Sequence, residues 1–393
     1  MKIAIVVHGR FDAFDLARAL LARGHHVTLF TNYPGWAVER FGIARVYVRS
    51  FVLHGVGTRI LHTVCQKLRL AYPEALVHQT FGSWAVRQLM HEQWDVIYCF
   101  SGIAEEMLQS EDIVSKLRVV VRGSSHIRTQ ARLLNEEAER TGCRLDCPTP
   151  WIITREEREY QLADRIVVLS RFAYNSFIAE GVPSNKVSIM PLGSQIETFR
   201  PSLEVVEARC QRILAGEPLR ILYVGTCSWR KGMWDMLTLL RQFQSNNVRF
   251  QFIGTCEPSL ATMLQDADTG IELIARQPQY ELPQWYAKND MFIFPTIEDG
   301  FAVVLAQAYA SAMPILTTTN CAGSDMIEEG QTGWVLPIRT PETFIERLRW
   351  CDAHRTELAE MVWRVYHEYQ PRDWIDVAAD FECMCEDALT RLA

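Results

Sequence analysis

Twice in this chain a short apolar run is followed by a glycine and then by an apolar-periodic stretch. The first is Lys2 to Val7, then Gly9, then Phe11 to Leu21, with Gly24 just past its end. The second is Arg220 to Val224, then Gly225, a loop, and a helix expected from Gly232. Short runs without polar alternation read as strands buried on both faces, and alternation with helices makes them parallel. His26 to Thr31 is the next strand, completing a βαβ opening. Further strands are expected at Val46–Phe51, Val96–Phe100, Arg118–Arg122, Arg165–Leu169 and Val187–Met190. The second start continues through Arg249–Ile253, Ile271–Ala275, Met291–Phe294 and Ile315–Thr319. The chain therefore reads as α/β, with two Rossmann-like doubly wound units in tandem. The polar, proline-flanked segment Arg200 to Pro218 is the expected boundary between residues 1–200 and residues 201–370. The tail, Asp373 to Leu392, reads as a helix.

Composition removes several classes. A net charge of −7 argues against a general nucleic-acid binder. No uninterrupted apolar stretch reaches the length of a membrane span. The only closely spaced cysteines are Cys143/Cys147 and Cys383/Cys385, with no histidine cluster beside them, which argues against zinc. Many cysteines without a framework fit a reducing cytosol.

Ligands of doubly wound sheets bind at the carboxyl ends of the strands, so the site is expected in a cleft between the two units. The loop Gly9-Arg10-Phe11-Asp12 has one glycine, so the GxGxxG dinucleotide fingerprint is absent, and so is a Walker loop. This leaves a Rossmann oxidoreductase a distant reading. The loop from Gly225 to Gly232 offers backbone donors and the adjacent cations Arg230 and Lys231, which suit a diphosphate. A solvated pair at a loop tip is the alternative. In Phe294 to Pro314, FPTIEDGFAVVLAQAYASAMP, Glu298-Asp299 precedes Gly300, and Phe301 to Ala312 is expected to be a helix. Asp299 and Gln307 would then stand roughly 12 Å apart along it. On the residues alone, Asp299 as a helix cap and Gln307 as an interior polar group remain open.

The stretch DGFAVVLAQAYASAMP resembles the signature of retaining glycosyltransferases of the GT-B fold, family 4 (glycosyl transferases group 1), bacterial type. Their pattern is two glutamates with seven residues between them within EGFG…EAMACG-P; Asp299 and Gln307 stand at those two positions. The Arg-Lys-Gly loop, Ser124-Ser125-His126 within VRGSSHI, ADRIVVLS from Ala163, MPLGSQIETF from Met190 and CAGSDMIEEGQTGWVLP from Cys321 match in order. Gln195 replaces the usual aspartate of MPLGSQIETF. The resemblance implies transfer of a sugar from a UDP- or GDP-linked donor to a glycan, lipid-linked or small-molecule acceptor, with retention and without a metal or other cofactor. It gives His126, Asp299, Arg230 and Lys231 catalytic roles, with His126 reaching from the first domain towards the sugar. Gln307 would take the ribose hydroxyls, and the backbone at Arg276, Gln277 and Pro278 would meet the base. Gly9, Gly225, Glu298, Gly300, Phe301, Ala302 and Val303 would complete the donor site. The last helix, 371–393, would cross back to the first domain through Tyr369 to Trp374. The implied setting is polysaccharide or glycoconjugate biosynthesis in the bacterial cytoplasm. Asp299 and Gln307 also leave open a non-catalytic GT-B scaffold or sugar-nucleotide-binding protein. A GT-B enzyme of another chemistry, such as a sugar-nucleotide epimerase, would want several cleft carboxylates and histidines instead.

Finally, residues 40 to 73 contain no acid, while Arg40, Arg45, Arg49, Arg59, Lys67 and Arg69 lie among apolar residues. The run suggests peripheral contact with an anionic inner leaflet. A strand and an amphipathic helix with solvated arginines is the plainer alternative.

Overall fold

The computed structural model describes all residues except 69, 194, 195, 244, 268, 269 and 393. Gln195 and Arg69 therefore lie outside the described residues. Seven strands in the first half form one parallel sheet: β1 Lys2–Val7, β2 His26–Thr31, β3 Val48–Ser50, β4 Trp94–Phe100, β5 Ser115–Arg122, β6 Arg165–Val168 and β7 Val187–Ile189. Six more form a second: β8 Leu219–Val224, β9 Val248–Ile253, β10 Glu272–Ile274, β11 Met291–Phe294, β12 Ile315–Thr318 and β13 Gly333–Leu336. The first has the order β3-β2-β1-β4-β5-β6-β7 and the second β10-β9-β8-β11-β12-β13. Each reverses direction beside its first strand, between β1 and β4 and between β8 and β11, where a crevice opens at the strand ends. Ile3 faces Val27 on one side and Val96 on the other, so β1 is central and Ile3 to Val7 are buried.

Four local expectations change. The strand read at Val46–Phe51 shortens to β3, because Val46 and Tyr47 are exposed in a 3-10 turn. β13 was missed; it is four residues long and opens on a glycine. The expected boundary segment contains a helix, Leu203–Leu214, that buries Val206, Cys210 and Ile213. Its stripe was masked because Arg209 shares the buried face, donating to the carbonyls of Tyr286, Ser311 and Ala312. The helix expected from Phe301 to Ala312 runs only from Val303 to Ala310. Residues 299–302 form a loop, so the spacing of Asp299 and Gln307 along one helix does not apply.

The helix Trp374–Leu392 packs against the helix Ala13–Ala22 of the first half. Phe381 sits edge-on to Tyr98 of β4, and Glu382 pairs with Arg23 at 2.6 Å.

Ala302 precedes the helix Val303–Ala310 with φ +63°. That left-handed conformation crowds a Cβ against the backbone and costs a non-glycine residue about 1 kcal/mol. Ala302→Gly should therefore raise the unfolding midpoint modestly, and Ala302→Val should lower it, in thermal denaturation. Equal midpoints for all three proteins would mean that the loop relaxes freely.

Candidate functional site

A cleft of about 850 Å³ opens where the strand ends of the two sheets face each other. The loop after β1 contributes Arg10, Phe11 and Asp12, and the loop after β5 contributes Arg122, Gly123 and Ser124. From the second half come Arg230, Gln279, Asp299, Phe301, Ala302 and Val303. Arg18 and Arg40 join them, so five arginines and the carboxylates of Asp12, Asp15 and Asp299 line the cleft, with Glu156 and Glu298 paired to Arg122 and Arg230 behind it. Burial pushes the Asp12 carboxyl up to about 6, which leaves it mostly ionised at neutral pH. Phe11 projects into the cleft and stacks on Phe100, ring centroids 5.6 Å apart. Sequence reading missed Phe11 and Arg122 as site residues. Their signal was position alone, just past the ends of central strands.

At the seam lies Glu298, fully buried. Its Oε1 accepts from Ser124 Oγ at 2.6 Å, Ser125 N at 3.0 Å and Ser125 Oγ at 2.9 Å. Its Oε2 accepts from Gln130 Nε2 at 3.1 Å and pairs with Arg230 Nη2 at 2.7 Å. Burial alone would raise this carboxyl. The Arg230 guanidinium and the Ser124 and Ser125 hydrogen bonds outweigh it and hold the group at about 2. Glu298 was expected at the donor; it is instead the anchor that ties the loop after β11 to the loop after β5. Gly300 makes the close approach possible, since a Cβ there would lie 2.2 Å from the carbonyl oxygen of Gly123. Further pairs join the two halves, among them Arg140 to Asp235 at 2.7 Å and Arg339 to Glu136 at 2.9 Å.

Arg230 and Lys231 were expected as adjacent cations. The structure pairs each with a carboxylate. Arg230 holds Glu298 and also donates to Ser124 Oγ at 3.1 Å. Lys231 Nζ pairs with Asp299 Oδ2. The other oxygen of Asp299 accepts from the backbone N–H groups of Phe301 and Ala302 at 3.1 and 2.9 Å. Asp299 thus shapes the loop before the helix, but it does not cap it: the N-cap is Ala302, and no side chain accepts there.

His126 is placed away from the cleft. It caps the helix Ile127–Thr141, its Nδ1 accepting from Arg128 N at 3.2 Å. Its ring packs against Tyr160 and Phe177, and burial lowers it to about 4, so it is neutral at physiological pH. The cleft lining passes from Ser124 to Gln130 without it.

A second pocket of about 420 Å³ adjoins the cleft through Gln279, which lines both. Gly225, Gly254, Arg276, Gln277, Val304 and Gln307 line it. Gln307 is buried, and its Oε1 accepts from the hydroxyl of Tyr286 at 3.1 Å. Pro278 precedes the short turn Gln279–Glu281 at the pocket edge. Gly9 has its N–H committed to Asn32 Oδ1 at 2.9 Å and its carbonyl to Thr31 Oγ1 at 2.9 Å. Its role is to turn the chain so that Arg10 to Asp12 enter the cleft. Among the described residues, no group of three or more His, Cys, Asp or Glu is arranged to hold a metal ion.

Two family models match the chain, "Glycosyltransferase Family 4" over residues 13–197 and "Glycosyl transferases group 1" over residues 218–352. Among curated proteins, the amylovoran biosynthesis glycosyltransferase AmsK of Erwinia amylovora is 25% identical, over 44% of this chain and 43% of its own. The GDP-mannose-dependent alpha-mannosyltransferase of Mycobacterium tuberculosis is 27% identical, over 52% of this chain and 55% of its own. The chain spans about half the length of the curated relatives it matches. In fold, it is similar to Anabaena HepE, solved in complex with UDP, at TM-score 0.68 and 12% identity, over 98% of this chain and 100% of that one. Sucrose-phosphate synthase of Thermosynechococcus elongatus is similar at TM-score 0.65 and 15% identity, over the whole of both chains.

Proposed function

The chain belongs to the group 1 glycosyltransferases, with the GT-B fold, and from that premise we propose that it moves a sugar from a nucleotide-diphosphate sugar to a glycan, lipid-linked or small-molecule acceptor. The observation that carries this reading is the cleft at facing strand ends, lined by Arg10, Arg18, Arg40, Arg122 and Arg230. Guanidinium groups already fixed in place there suit a diphosphate as it leaves.

The donor lies with its nucleoside in the smaller pocket and its diphosphate in the cleft. Gln307 has its carbonyl taken by Tyr286, so its amide N–H groups are the ones offered to the ribose hydroxyls. The backbone at Arg276 and Gln277 meets the base. Both UDP and GDP are compatible with what the similar proteins are named for, HepE with UDP and the mycobacterial enzyme with GDP-mannose. As the sugar–phosphate bond breaks, negative charge grows on the diphosphate. Arg230 and Lys231 meet it by sharing their N–H groups between their carboxylate partners and the phosphate oxygens. The acceptor hydroxyl attacks from the face the phosphate leaves, and a phosphate oxygen takes its proton, which retains the configuration. In this scheme the arginines supply the positive charge that a divalent ion supplies elsewhere, so a chelator leaves the rate unchanged.

Thermal shifts against UDP, GDP, ADP and CMP test the donor site. A ligand at about a hundred times its Kd raises native stability by about 2.7 kcal/mol. A shift with one nucleoside diphosphate, lost in an Arg230→Ala/Lys231→Ala variant, is the expected result. Well-folded protein that responds to none of them would defeat the reading. The closed Lys231–Asp299 pair favours a second reading, a sugar-nucleotide binder that does no chemistry. Donor that binds but is neither transferred nor hydrolysed would select it.

A further inference from the structure

The helix Val52–Leu68 departs from ordinary packing. Only Gly55 and Cys65 of its residues are buried. Leu53, Val56, Ile60, Val64 and Leu68 recur at helical spacing, and all are exposed, Leu53 at 83%, Ile60 at 60% and Leu68 at 63%. A helix on a protein core turns such a stripe inward; this one turns it out. Leu70 and Leu76 extend the apolar surface past the helix. Beside it, between this helix and the helix Glu74–Leu89, a groove of about 450 Å³ is lined by Ile60, Leu61, Val64, Leu76 and Val77 among others, almost wholly apolar.

The segment that carries the stripe has charge of one sign, with Glu39 and Glu74 just beyond its two ends. No acid occurs from residue 40 to residue 73 in a chain whose net charge is −7, whereas Arg40, Arg45, Arg49, Arg59 and Lys67 all lie there. Of these, Arg45 pairs with Glu39 from just outside the run. An outward apolar stripe flanked by cations is the chemistry of a helix lying in the interface of an anionic bilayer, apolar face down and cations among the headgroups. A protein partner of ordinary composition would present no reason for the complete exclusion of acid. Among the described residues no helix is long and apolar enough to cross a membrane.

We propose that the first half of this protein docks on an anionic lipid surface through the helix Val52–Leu68, with the neighbouring groove receiving an acyl chain. His54 of this helix packs against His8, ring centroids 5.2 Å apart, and His8 leads into the Arg10–Asp12 loop that lines the cleft, so the docked surface lies on the cleft side of the first half. The proposal stands apart from sugar transfer, since vesicle binding reads the surface whatever the cleft does.

The test is flotation of the full chain with phosphatidylcholine vesicles, with and without phosphatidylglycerol. The wild type is expected to float with the anionic vesicles and to stay down with the neutral ones. Leu53→Glu/Ile60→Glu, which changes only exposed positions, should abolish flotation. Arg49→Glu/Lys67→Glu should weaken partition by about tenfold or more, since each cation near such a surface counts separately. Circular dichroism checks that both variants remain folded. Failure to float with either lipid, or equal flotation with both, overturns the proposal. So does a self-associated wild type that Leu53→Glu/Ile60→Glu makes monomeric while vesicles bind neither, because the stripe is then an interface between copies.

Discussion

Replacing Glu298 with alanine should cost this protein roughly 3 kcal/mol of stability, the lower end of the penalty for breaking a buried ion pair, because the partner left behind, Arg230, reaches the solvent of the cleft. The carboxylate accepts from Ser124, Ser125 and Gln130 on one side of the seam and pairs with Arg230 on the other. Without it these donors lose their common acceptor, and the Arg230 cation loses its counter-charge. Glu298→Gln keeps the shape but puts an N–H₂ against donors, so it should lose a large part of the same free energy. The pH dependence has a definite sign. The folded carboxyl is held at about 2, below its ordinary 4.5. The native state therefore binds fewer protons, and the stabilisation is fully present above about 4.5. It is lost as pH falls from there towards 2. Urea unfolding of wild type and Glu298→Gln across this window should show the two midpoints converging as pH drops. A constant difference, or none at neutral pH, would mean that Glu298 does not hold the halves together.

The second large effect is on turnover. Arg230→Ala should lower kcat/KM by about 100–1,000-fold, the range seen when one preorganised donor is removed from a developing anion. Arg230→Lys should fall between, because an ammonium keeps the charge but cannot bridge two acceptors as a planar guanidinium does. Arg230 is also part of the seam, so the measurement belongs in the Glu298→Gln background as well. A structural arginine should lose its importance once Glu298 is neutral. An arginine that stabilises the leaving diphosphate should still cost a similar factor in kcat. Collapse of the effect in the double variant would remove Arg230 from the chemistry.

The fold was largely legible because parallel strands buried on both faces leave uninterrupted apolar runs such as KIAIVV and RILYV. The elements that escaped carry weaker marks. β13 is a four-residue strand opening on a glycine, and the helix Leu203–Leu214 hides its inward stripe behind the buried Arg209. The candidate site was legible only in part: Phe11 and Arg122 escaped, and none of the pairings could be read. Arg230, Lys231, Glu298 and Asp299 could each be singled out from loop position. That the two cations would be matched to the two acids depends on how the loops after β8 and β11 cross, which no local spacing encodes. The same holds for Ser124 and Ser125 as partners of Glu298, far away in sequence. His126 was misplaced because a histidine just after a strand serves equally well as a helix cap, and burial between Tyr160 and Phe177 decided the matter. The acid-free run was visible in sequence, but the outward turn of its stripe was not, since periodicity fixes a face without saying which way it points.

The return of the helix Trp374–Leu392 to the first half bears on how the chain is made. Val377, Ala378, Phe381 and Cys385 fill part of the first half's own interior, yet a ribosome adds them only after every strand of the second sheet. The first half thus leaves the exit tunnel with a strip of its core uncovered over the helix Ala13–Ala22. Domains generally fold as they emerge; here the earlier one receives the last part of its core only once the later one has been synthesised.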